Sequence, residues 1–200
     1  MTSLKTINNM HYDQAHSFII EKLEQELSPD LTYHNADHTR SVIQATQLLC
    51  EHEKIDERHT KILVTAALFH DAGFVRSYQN HEEKSCDLAR EYLPEFGYNN
   101  KEINQICRLI MVTKLPQRPS NLFESIICDA DLHYLGTDSY FLIAENLFKE
   151  YKKLDIVKDR VDWKTKQIQF FKAHRYFTRS AKEKYEQKKE ENFQLLQRED

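Results

Sequence analysis

The sequence is poor in residues that turn a chain sharply. Only 3 glycines and 4 prolines occur in 200 residues, against usual shares of roughly 7% and 5%. Hairpins and tight turns depend on such residues, so the shortage excludes a strand-rich fold and predicts helices joined by short loops. No apolar run reaches the roughly 18 residues that a membrane-spanning helix needs, so no membrane partner is expected. The opening residues, MTSLKTINNMHYDQ, lack the apolar stretch and small-residue cleavage site of a secretory signal. The four cysteines (Cys50, Cys86, Cys107 and Cys128) stand singly, with no CxxC pair. Reduced, packed thiols in a cytoplasmic protein are the expectation. A formal net charge of -4 gives no basic footprint, which makes long nucleic acid an unfavoured partner.

What is present is helical periodicity. Ile19, Ile20 and Leu23 predict a helix from about His11 to Glu26, stopped by Ser28-Pro29-Asp30. A second helix begins near Asn35 and runs through Val42, Ile43, Ala45, Leu48 and Leu49. A third starts after Asp56, a good N-cap, and ends near Asp71, with Gly73 beyond it. Further helices are predicted over about Glu82 to Leu93, in KEINQICRLIMVTK, in SIICDADLHYLG, and from about Asp138 to Lys153. From Val161 onward the pattern reads as one long helix. Its second half, RSAKEKYEQKKEENFQLLQRED, is nearly all charge and amide, and reads as a solvated tail or, alternatively, a surface for a partner or a second copy. The division is therefore a helical domain over residues 1–178 and a charged helical tail over 179–200.

Two titratable residues sit at the end of a greasy run, KILVTAALFHDAGF. An ionised carboxylate in apolar surroundings is heavily penalised unless something pairs with it or coordinates it. Asp71 follows Ala-Ala-Leu-Phe, and Asp131 lies in SIICDADLHYLG beside Ile126, Ile127, Leu132 and Leu135. Upstream, YHNADH places His34 and His38 four residues apart, on one face of a helix. Two readings are open. The carboxylates pair with lysine or arginine at helix C-termini, against the helix dipole, or they share a divalent cation with the imidazoles.

The order His38, then His70-Asp71, then Asp131 resembles the H…HD…D signature of the HD-domain superfamily of metal-dependent phosphohydrolases. The resemblance spans roughly residues 30 to 155, through HNxxH, FHDxG and DADxxxLG. It implies an all-α HD-domain bundle, here with an extended C-terminal helix. It implies His38, His70, Asp71 and Asp131 as metal ligands, with Asp129 the rival of Asp131. Tyr33, His34, Asn35 and His38 also resemble the YHNxxH element of cyclic-nucleotide phosphodiesterases, in which the first histidine is the catalytic acid. That role passes to His34, while Asp71 would also orient the attacking water. His81 matches a position where two-metal relatives hold a second ion. The histidines those relatives add on the next helix are missing, since that stretch reads Val112-Thr113-Lys114. The expectation is one divalent ion (Mn, Fe, Mg or Ni), with His81, Lys114 and Arg118 binding substrate phosphate. A small-molecule phosphoester, of a nucleotide or cyclic nucleotide, is the implied substrate. A diiron oxygenase of the same fold, and a metal-containing binding module without turnover, stay open as alternatives, as does a homodimer.

Overall fold

The computed structural model describes residues 10–198. Among them, nine α-helices follow one another and no strand occurs: α1 (Tyr12–Glu26), α2 (Ala36–His52), α3 (Glu57–Phe69), α4 (His81–Tyr92), α5 (Asn100–Met111), α6 (Leu122–Asp131), α7 (Tyr140–Lys153), α8 (Arg160–Ala173) and α9 (Arg179–Arg198). Short 3₁₀ turns follow α3, α4 and α6, at Ala72–Val75, Leu93–Phe96 and His133–Gly136. The all-α class expected from scarce glycine and proline is what the chain adopts.

Local sequence sets most helix starts. The Asn35 side chain accepts from the amides of Asp37 and His38, which puts His38 in the first turn of α2. The side chains of Asn99 and Glu102 close a capping box on α5. Helix α3 is the axis of the bundle. Every residue from Ile62 to Phe69 is buried, and α1, α2, α5 and α6 pack around it. A helix surrounded in this way is apolar on all sides, which accounts for the greasy run before His70. This main core holds α1 to α6, joined by Tyr176 and by Ala181 and Tyr185 of α9. A second apolar cluster, built from the turn after α6 and from α7, α8 and the end of α9, lies beside it.

The C-terminal third departs from the expected single helix. The chain breaks at residues 174–178, where His174 turns extended (ψ 138°). Nothing local demands a break there; the cause is Asp129. Its fully buried carboxylate accepts from the amides of Phe177 (2.8 Å) and Thr178 (2.7 Å) and from the Thr178 hydroxyl (2.7 Å). The Thr178 Oγ1 in turn accepts from the Ala181 amide, starting α9. Helix α9 then runs back along the bundle rather than out into solvent. Ala181, Tyr185 and Leu196 are buried, and Asn192 Nδ2 donates to the carbonyls of Leu135 and Thr137, each at 2.9 Å. Gly136 is required at this contact, because a Cβ there would lie 2.3 Å from the Tyr185 carbonyl oxygen. Most charged residues of the tail occupy its outer face; Lys189 is buried and donates to the His174 carbonyl at 3.3 Å.

Asp129→Ala leaves one buried and one part-buried amide without an acceptor, and should cost about 2–4 kcal/mol. The expected outcome is a lower urea midpoint, with faster proteolysis at residues 174–178. An unchanged midpoint would show that the junction holds without this carboxylate.

Candidate metal centre and active site

Three elements meet at the end of α3. His38 comes from the first turn of α2, His70 and Asp71 from the C-terminus of α3, and Asp131 from the last residue of α6. The His38 and His70 Nε2 atoms lie 3.2 Å apart. Asp71 Oδ2 is 3.4 Å from the first and 3.1 Å from the second. Asp131 Oδ1 is 3.6 Å from His38 Nε2 and 3.5 Å from His70 Nε2. Ligand atoms that share one ion at about 2.1 Å stand roughly 3 to 3.5 Å apart, and these spacings match. The ligand atoms of His38, His70 and Asp71 all fall within 4.8 Å of one another.

Second contacts aim these groups. His70 Nδ1 donates to the Ala67 carbonyl at 2.8 Å, which turns Nε2 inward as the lone-pair nitrogen. Gln117 Nε2 donates to Asp131 Oδ2 at 3.0 Å and leaves Oδ1 for the cluster. Burial opposes charge on all four groups, yet their mutual attraction outweighs it. Asp131 and Asp71 hold His38 above the usual imidazole range. Burial works against His70 likewise, but Asp71 and Asp131 raise it well above that range. Asp71 is held well below the carboxylate range by His70 and His38, and Asp131 is lowered to about 2 by the same two imidazoles. The carboxylates thus draw positive charge into a buried place. A divalent cation with two nitrogen and two oxygen donors fits that need.

Around this cluster the chain is drawn tight. The Ser85 hydroxyl donates to the His70 carbonyl (2.7 Å) and accepts from the Gly73 amide (2.8 Å), tying the end of α3 to α4. A Cβ on Gly73 would lie 2.0 Å from the His81 carbonyl oxygen, so only glycine allows this approach. His81 consequently faces the other oxygen of Asp71, with Nε2 3.5 Å from Oδ1. The same Nε2 is 3.5 Å from Glu82 Oε1. The Lys114 ammonium is 2.7 Å from Glu83 and 3.8 Å from Glu82.

His34 is held from behind. Its Nδ1 donates to Glu150 Oε1 in a short hydrogen bond, and Glu150 Oε2 accepts from the amides of Tyr33 (2.9 Å) and His34 (3.0 Å). Glu150 is fully buried, and its two oxygens hold the backbone before α2 and one imidazole. The Phe74 ring lies between His34 and His81, with centroids at 4.6 Å and 4.0 Å.

His34, Asp71, His81, Lys114 and Asp131 line one cavity of about 430 Å³. Arg118 does not: it is exposed and lies outside the lining. Asp129 is also apart, since its carboxylate is spent on residues 177 and 178. The structure therefore brings together every expected residue except Arg118, and it separates Asp131 from its rival. Glu150 and Gln117 escaped sequence reasoning. Glu150 did leave a trace, because it falls at helical spacing on the stripe of Tyr140, Ala144 and Leu147; Gln117, in a loop, left none.

Comparison with known proteins agrees with this geometry. The HD domain family model matches residues 35–133, a span that takes in His38, His70, Asp71 and Asp131. The chain belongs to the HD-domain superfamily, whose members bind divalent metals and include metal-dependent hydrolases. Its structure is similar over 99% of its length to a crystal structure of a predicted HD superfamily hydrolase from an uncultured Thermotogales bacterium. The TM-score is 0.64 with 97% of that chain covered, and the identity of 17% makes this a likeness of fold. An uncharacterized protein of Clostridium beijerinckii is 33% identical over 76 residues, 36% of this chain. The matched part spans about half (48%) of that relative's length. Among the described residues no helix is long and apolar enough to cross a membrane.

Metal analysis after Mn²⁺ loading separates the two aspartates. His70→Ala, Asp71→Ala and Asp131→Asn should each lose bound metal, while Asp129→Asn keeps it. Gln117→Ala should weaken metal affinity by about 10-fold, as loss of an orienting partner does. Metal loss in Asp129→Asn with Asp131→Asn intact would reverse the assignment.

Proposed function

We propose that the protein is a metal-dependent phosphohydrolase that cleaves a phosphoester of a small molecule, with nucleotides and cyclic nucleotides among the compounds to try first. The observation that supports it best is the buried Glu150–His34 pair facing the same cavity as the His38, His70, Asp71 and Asp131 cluster. A divalent ion held by these four side chains would supply a water of lowered pKa and polarise a phosphoryl oxygen. The chain supplies the rest. Asp71 Oδ2 is the oxygen nearer the two imidazoles, and Oδ1, 3.5 Å from His81 Nε2, can accept a proton from the attacking water. His34, with Nδ1 committed to Glu150, presents Nε2 to the cavity and can protonate the leaving oxygen. His81 and Lys114 are the candidate contacts for the phosphoryl group. Arg118 is not among them.

His81 Nε2 stands 3.5 Å from both Asp71 Oδ1 and Glu82 Oε1, which is the one arrangement that favours a second ion. Lys114 already neutralises Glu82, and we keep His81 as a phosphate contact. The oxygenase reading would need two ions and draws on the same residues, with Val112-Thr113-Lys114 offering no further imidazole.

Mn²⁺-loaded protein should hydrolyse phosphoesters, and Asp71→Ala should abolish this together with metal binding. In His34→Ala, kcat should fall about 10²-fold on alkyl esters. The loss should shrink on p-nitrophenyl phosphate, whose leaving group departs without a proton. An equal loss on both would remove His34 from the acid role. Stoichiometric metal without turnover of any phosphoester would sink the reading.

A further inference from the structure

The cavity extends from the candidate metal cluster into the second apolar cluster, and its far wall is aromatic. Tyr134, Tyr140, Tyr151, Trp163, Phe170 and Phe171 line it, contributed by the turn after α6 and by α7 and α8. The carboxylates of the lining stand at the other end, and the aromatic wall carries one lysine, Lys166 of α8. Among the described residues the lining holds three carboxylates, Asp71, Glu82 and Asp131, and two lysines, Lys114 and Lys166. Lys114 is taken by Glu83 and Glu82, and Lys166 by Asp162 at 3.0 Å. Among the described residues no arginine lines the cavity.

This distribution limits the charge a substrate can carry. With each lysine offset by Glu83 or Asp162, the three carboxylates leave the lining negative, and a divalent ion would be the main positive charge that a phosphoryl group meets there. One phosphoryl group can be matched there. Additional phosphates would meet Glu82 or the aromatic wall, with neither guanidinium nor unpaired ammonium to replace their water. The wall offers instead the flat, polarisable surface that buries rings and hydrocarbon, in a volume suited to a small organic body.

We infer that the substrate carries a single phosphoryl group on an uncharged, largely apolar body that fills the aromatic end of the cavity. This rests on the phosphohydrolase reading for the reacting end only; the occupant of the aromatic end is a separate claim about binding. Polyphosphorylated nucleotides are excluded as preferred substrates. The class is a phosphate monoester of an aromatic or extended hydrocarbon alcohol.

Trp163 is the single tryptophan of the chain and lines the cavity, so its fluorescence reports occupancy without turnover. Methylphosphonate, benzylphosphonate and inorganic triphosphate would be titrated into Mn²⁺-loaded protein, with calorimetry alongside. Benzylphosphonate should bind at least about 10-fold more tightly than methylphosphonate, the discrimination that an apolar pocket gives for a group of this size, and should change the Trp163 emission. Ala144→Phe, which fills the cavity from α7, should remove most of that preference while retaining metal. Should that variant fail to fold, the wild-type titrations decide alone. Equal binding of methyl- and benzylphosphonate, or tighter binding of triphosphate, would overturn the inference. Selective benzylphosphonate binding with no phosphoester hydrolysed would leave the inference standing and remove the phosphohydrolase reading instead.

Discussion

The structure depends on a carboxylate and an imidazole held side by side where helix α3 ends inside the protein. His70 and Asp71 are both buried, and a carboxylate at a helix C-terminus is opposed by the helix dipole as well as by its loss of water. Neither group could stay there alone. Their partners arrive from three other segments: His38 at the start of α2, Asp131 at the end of α6, and His81 at the start of α4. Much of the local architecture can be traced to this convergence. The Asn35 cap times the start of α2, and Ser85 with Gly73 draws α4 against the end of α3. Gln117 crosses from a loop to steady Asp131.

The site lies where two apolar clusters meet, and the two do different work. The main core around α3 is closed and rigid enough to hold four ionisable groups in register. The smaller cluster, from the turn after α6 onward, leaves space between its rings. Chemistry-bearing groups therefore come from the well-packed side, and the room for a ligand comes from the side assembled from more distant segments. Glu150 joins the two. It rises from α7 in the second cluster and fixes the backbone and ring at the entrance of α2 in the first. A displacement of α7 would carry His34 with it.

Legibility in the sequence followed the range of the interaction. Helix class and most helix ends were readable, because caps, stops and periodicity are written within a few residues: helix starts were placed near Asn35 and after Asp56, and each caps the helix that follows. The four-residue set was reached through its resemblance to the HD signature, whose members stand in short contiguous motifs; residue types and spacing alone left two readings open. What was hidden depends on segments far apart in the chain. The break before α9 requires Asp129, some 48 residues upstream. The role of Glu150 requires His34, 116 residues away. The tail looked solvated because its charge content conceals a buried line of Ala181, Tyr185, Asn192 and Leu196, and that line has meaning only once Gly136 lets α9 approach.

Asp129 and Asp131 show how sharply helix geometry can divide two like residues. They stand two positions apart in DAD, which on an α-helix of 3.6 residues per turn turns them about 200° away from each other. One carboxylate must then face away from whatever the other faces. Asp131 points to the imidazoles of His38 and His70, and Asp129 points to the incoming chain at Phe177 and Thr178. Helix α6 thus carries one charge for the candidate chemistry and another for the fold, through two side chains that composition and spacing alone could not tell apart. The same rotation ties the functions together, because any twist of α6 that moved Asp131 off the cluster would also loosen the anchor of α9.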